Sequence, residues 1–93
     1  IYMDNFNFYK VVEKLKKKYS NEFINDLENY QLNKLDIKNN FKTVNVNWKK
    51  SNGFRIANPF YVVKINIKGL DYEISMEKGN KKIRFKRLKR INH

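Results

Sequence analysis

The chain has 93 residues with no cysteine, and 21 Lys/Arg against 9 Asp/Glu give a net charge of +12. That length allows one domain with a modest core, and 41% hydrophobic with 15% aromatic residues is too rich for wholesale disorder despite 32% charged residues. The lack of cysteine excludes a disulfide framework, a thiol nucleophile and a Cys-based zinc site, and the longest wholly apolar run, Phe60 to Val63, is too short to span a membrane.

The charge is uneven. Residues 1–40 carry seven Lys/Arg against six Asp/Glu, whereas residues 41–93 carry fourteen against three. A positive field gathered in one half points to a polyanion, nucleic acid ahead of a membrane surface, or to an acidic protein. Opening on Ile1-Tyr2 fits either a piece cut from a longer protein, with 1–93 as its C-terminal domain, or a natural start at Met3.

Phe8, Val12, Leu15, Tyr19, Phe23, Leu27 and Tyr30 recur at helical spacing. Asn5 or Asn7 can cap the start, and Ser20-Asn21 can cap a second helix, so one long helix or two short ones remain open, the cap chemistry favouring two. The apolar stripe faces the core, and Lys10, Lys14, Lys16, Lys17 and Lys18 form a solvated helix face. Residues 31–40 lose the period and read as a loop.

From Phe41 to Lys50 the period becomes two, with Val44, Val46 and Trp48 on one side of a strand. Ser51-Asn52-Gly53 reads as a turn, Phe54 to Ala57 as a short extended piece, and Pro59 as an edge, bulge or break. A meander follows, at about 60–68, 72–78 and 81–90. A two-residue turn at Gly79-Asn80 sets Met76 against Ile83, Ile74 against Phe85, Glu77 against Lys82 and Glu73 against Lys86, so apolar meets apolar and acid meets base. Gly69-Leu70 likewise pairs Ile67 with Tyr72, Ile65 with Ile74 and Val63 with Met76. Tyr61, Val63, Ile65, Ile67, Ile74, Met76, Ile83 and Phe85 then face inward, and strict alternation turns the core face cationic at Arg87 and Lys89. The expected fold is α+β: one or two N-terminal helices from residues 1–40 packed on an antiparallel sheet formed by residues about 41–91.

The opposite face of the sheet carries Glu73 and Glu77 against Lys64, Lys68, Lys82, Arg84 and Lys86. Cross-strand ion pairs there stabilise the sheet, but two glutamates cannot neutralise five bases, and Arg87, Lys89 and Arg90 add to the excess. Such a face can track phosphates, with Phe60, Tyr61, Trp48 or Phe54 available to stack an unpaired base. RNA is favoured over the DNA major groove because no recognition helix is visible. The expected nucleic-acid-binding residues are Arg55, Lys64, Lys68, Lys82, Lys89 and Arg90.

Catalytic sets narrow by elimination. The single histidine is the last residue, His93, no His/Cys cluster can hold zinc, and Asp71, Glu73 and Glu77 are split among ion pairs, so no metal or other cofactor is called for. Metal-free RNA cleavage survives, since the 2′-hydroxyl is its own nucleophile and the protein must position it, move protons and stabilise an anionic transition state. Tyr72, expected opposite Arg87, with Arg84 and Lys86 on the same sheet, matches that need.

The order of N-terminal helices followed by a meander ending in the basic run DYEISMEKGNKKIRFKRLKR resembles the RelE-like and colicin-type ribonuclease toxins, similar in topology to barnase-type folds. The resemblance implies Tyr72, Arg84, Lys86 and Arg87 as catalytic groups, with His93 as a terminal contributor. It also implies a cytoplasmic site of action after delivery from a longer exported protein, and an acidic immunity protein or antitoxin covering the basic face. The alternatives are a non-catalytic DNA- or RNA-binding module and a protein-interaction or inhibitor domain.

Overall fold

The computed structural model describes residues 5–51 and 59–91 of the chain. In chain order they form α1 (Asn5–Lys14), β1 (Lys16–Tyr19), α2 (Asn21–Asn29), α3 (Lys34–Asn40), a 3-10 turn (Phe41–Thr43), β2 (Asn45–Val46), β3 (Phe60–Ile67), β4 (Leu70–Lys78) and β5 (Lys82–Arg90). The strands make one mixed sheet in the order β1-β5-β4-β3-β2, antiparallel except where β1 runs parallel to β5. The class is α+β, as the sequence predicts.

The helical stripe of residues 8–30 is broken by a strand. Leu15 N–H still donates to Val12, and Lys17 Nζ lies against the carbonyls of Val12, Glu13 and Leu15, which satisfies the end of α1. The chain then pairs with β5, Lys16 beside Lys82 and Tyr19 beside Phe85. Ser20 ends β1 and begins α2: its hydroxyl oxygen accepts the Phe23 N–H at 3.0 Å, as an N-cap should. Lys16, Lys17 and Lys18 therefore belong to a strand and not to a solvated helix face.

Two further expectations are corrected. Residues 31–40 are not a loop but mostly α3, opened by a capping box in which Asn33 accepts from Asp36 N–H and Asp36 accepts from Asn33 N–H. The strand expected over residues 41–50 shrinks to β2, although Val44 is buried and Val46 and Trp48 pack against the core. The turn expected at Ser51-Asn52-Gly53 and the extended piece from Phe54 to Ala57 fall, beyond Ser51, outside the described residues.

The meander is present with shifted registers. Its first turn is Lys68-Gly69, not Gly69-Leu70, with φ of 55° and 85°, the positive values that a type I′ hairpin needs at both central positions. Ile65 thus faces Tyr72, and Val63 faces Ile74. The second hairpin sets Lys78 against Ile83 and Met76 against Phe85. Both registers move by two residues, so every side chain keeps its face.

Beyond Phe85 a β-bulge changes that. Met76 pairs with Phe85, but Ser75 pairs with Arg87, leaving Lys86 as the extra residue. Lys86 and Arg87 are consecutively exposed, and Leu88, which strict alternation turns outward, is buried. The core face does not turn cationic at Arg87 and Lys89. Leu88 instead joins a single apolar cluster with Phe8, Phe23, Ile74 and Phe85, to which all three helices and the sheet contribute. Each such side chain, fully buried, contributes about 1.5–3 kcal/mol.

Candidate nucleic-acid interface

The sheet has one face under the helices and one turned away from them. On the second face, β4 supplies the acids and the neighbouring segments supply their counter-charges. Glu73 is held by Lys50 at 3.0 Å and Lys89 at 3.7 Å, Glu77 by Lys86 at 3.9 Å, and Asp71 by Lys64 at 4.0 Å. The turn after β2 closes the β3 edge: Asn47 N–H donates to Val62, and Val62 N–H donates to the Ser51 hydroxyl oxygen. This half of the face is close to neutral.

The other half is not. Parallel pairing sets Lys16 beside Lys82 and Lys18 beside Arg84, and pleat geometry aims all four side chains the same way. None of the four makes an ion pair with the described residues. Adjacent strands lie about 4.8 Å apart, and alternate residues about 6.6 Å apart along a strand. The result is a two-by-two block of cations on β1 and β5. Like charges abreast are destabilising. Glu77 stands across from Arg84 in the ladder, but its carboxylate reaches Lys86 instead. Half-buried Phe60 closes the same cross-strand row, Phe60–Glu77–Arg84–Lys18, and is an aromatic ring on this face.

The last basic residues of β5 are engaged elsewhere. Arg87 Nε donates to Asp26 of α2 at 2.9 Å and Nη2 donates at 3.3 Å. Those bonds first, and the Asp26 charge second, raise the Arg87 pKa further. Arg90 lies over the rings of Tyr30 and Tyr72, 5.1 and 5.4 Å from their centroids, and donates to the Tyr72 hydroxyl at 3.1 Å. α2 seals this end of β5 where β1 has stopped. The Ser20 hydroxyl donates to Lys86 C=O, Asp26 accepts Leu88 N–H, and the Tyr30 hydroxyl accepts Arg90 N–H.

The expected catalytic set is therefore divided. Arg84 and Lys86 are exposed on the open face, Tyr72 is buried on the helical face opposite Arg90 and not Arg87, and Arg87 is bound to Asp26. His93 and Arg55 lie outside the described residues. Of the expected binding residues, Lys82 is in the unpaired block, Lys64 and Lys89 are in ion pairs, Arg90 stacks on tyrosines and Lys68 sits in the first hairpin turn. Among the rings considered for stacking, Tyr61 is buried and Trp48 packs edge-on against it at 6.2 Å. Sequence reasoning missed Lys16 and Lys18. Three consecutive lysines carry no alternation that could have signalled the strand, and the helical stripe passing through Leu15 and Tyr19 pointed the other way.

No family model, curated protein or solved structure matches the chain. Among the described residues, no group of three His, Cys, Asp or Glu is placed to hold a metal, and no helix is long and apolar enough to cross a membrane.

Proposed function

We propose that this chain is a nucleic-acid-binding domain, RNA favoured over DNA, that receives a phosphate backbone across the open face of β1 and β5. The observation that carries the reading is the side-by-side placement of Lys16 with Lys82 and Lys18 with Arg84, none of which has an ion pair among the described residues. A sheet that needed only to fold would gain by placing a carboxylate at any one of these positions. A phosphate chain lying between the two rows relieves the repulsion and releases counterions. A single strand with unstacked bases suits a flat face with a ring, Phe60, at the end of the row.

Binding without cleavage is the form of this reading that we favour, because Tyr72 is buried on the helical face whereas Arg84 and Lys86 are exposed on the open one. The test is the affinity for single-stranded RNA measured across a salt series. The slope of log K against log salt should fall by about 0.7 for each phosphate contact removed, through Lys16→Gln, Lys18→Gln, Lys82→Gln and Arg84→Gln in turn. Affinity indifferent to salt, or unchanged by all four substitutions, overturns the reading. Cleavage of the RNA in EDTA during the same incubations would restore the ribonuclease alternative.

A further inference from the structure

A cavity of about 330 Å³ opens between α1, β1 and α3, on the helical side of the sheet. Its inner wall is apolar: Val12, Ile37, Phe41 and Phe85 are buried there, with Tyr19 beside them. Its mouth is polar and two-sided. α1 supplies Tyr9 and Glu13, and α3 supplies Lys34 and Lys38, each pair one helical turn apart and so on one side of its helix. Leu35, 62% exposed, lies at the same mouth.

The two sides of the mouth do not neutralise each other. Glu13 accepts the Tyr9 hydroxyl at 2.8 Å, while Lys34 sets its ammonium 4.6 Å from the Tyr19 ring centroid. Lys34, Lys38 and Glu13 form no ion pair with the described residues. A third lysine of the lining, Lys17, is occupied in capping α1. Lys34 and Lys38 thus line an apolar hole with no ion pair among the described residues.

We propose that this cavity binds a small amphiphilic carboxylate, a medium-chain or aryl-alkyl acid, with its apolar body inside and its head toward α3. The volume sits at the low end of the ~300–1,000 Å³ typical of ligand sites, which selects a compact molecule. The walls reward apolar surface removed from water at about 25 cal/mol per Å². Lys34 and Lys38 supply the counter-charge for the head, and Glu13 repels it from the α1 side, which fixes the orientation. This site shares no residue with the cation block on the open face, so the two proposals stand or fall separately.

The test is titration of the whole chain with octanoate followed by backbone amide shifts, with octanol as the uncharged control. Saturable one-to-one shifts centred on β1 and α3 are expected, with octanol binding several-fold more weakly. Lys34→Gln and Lys38→Gln should each weaken octanoate about two- to fivefold, and Glu13→Gln should tighten it by a similar factor. Lys49→Gln, far along the chain in an exposed turn, should change nothing. All four side chains are surface groups, and unchanged circular dichroism will confirm that the variants fold. Failure to saturate, shifts centred on the open face, equal affinity for octanol, or indifference to Lys34 and Lys38 each overturns the proposal.

Discussion

The carboxylate of Asp26 accepts the backbone N–H of Leu88 at 2.9 Å, from a strand 62 residues further along the chain. The same oxygen takes the Arg87 Nε, so one helical side chain both pairs a strand donor and holds a guanidinium. Asp26 is only 7% exposed. Removing its acceptor strands a buried N–H, which costs about 1–3 kcal/mol. Asp26→Ala should therefore lower stability by that order in urea denaturation, while Asp26→Asn, which keeps an acceptor oxygen, should lose less. Arg87→Ala should lose least, because its side chain is 64% exposed.

The bulge at Lys86 makes a second prediction that plain alternation reverses. Leu88 is buried and its neighbour Lys89 is exposed. Leu88→Ala should cost about 2–5 kcal/mol as a core truncation, and Lys89→Ala should change the denaturation midpoint little. A small loss at Leu88 beside a larger one at Lys89 would mean that the strand keeps its simple pleat through Arg87.

The cation block predicts opposed effects on stability and binding. Lys18→Glu puts a carboxylate beside Arg84, an arrangement that stabilises a sheet by about 0.2–1 kcal/mol over a neutral pair. The variant should have a higher melting temperature in low salt than the natural chain, and the gain should shrink as salt is added. Its affinity for single-stranded RNA should fall. A variant that loses both stability and affinity would argue that the block is not repulsive.

Two tyrosines predict an alkaline limit. Burial raises the phenol pKa of Tyr19 and of Tyr61 above the ordinary 10.0. The folded state holds these protons where the unfolded chain has released them. Their contribution to stability is complete below about pH 10 and is lost as the pH climbs through the raised folded values. The urea midpoint should decline on that side, and Tyr19→Phe with Tyr61→Phe should flatten the decline by removing both groups.

How much of this was legible depends on what each residue's neighbours decide. Ile83 and Phe85 declared their face by alternation alone, and an even register error leaves every face intact, so the meander's two sides were readable without its true turns. An odd insertion does not leave them intact. Leu88, an apolar residue out of phase among cations, was the sign of the bulge. Asn33-Lys34-Leu35-Asp36 carries a capping box in plain view, hidden only by the weak period that follows it. Lys16 to Tyr19 is different in kind: its strand exists because β5 offers a free edge, and no local preference in three lysines announces that. The candidate interface was half visible for this reason. Lys82 and Arg84 were read from the last strand, whereas Lys16 and Lys18 joined them through tertiary pairing.

The position of β5 between β1 and β4 also governs how the molecule is made. β1 comes early in the chain, yet its partner is the last strand, and α2 packs against the same strand through Ser20, Asp26 and Tyr30. While a ribosome is still adding residues 82–90, Lys16–Tyr19 has no neighbour and α2 has nothing to seal. β1 and α2 must wait until β5 has been made, and a nascent chain that has not yet reached β5 exposes its greasy surface to whatever chaperone is at hand.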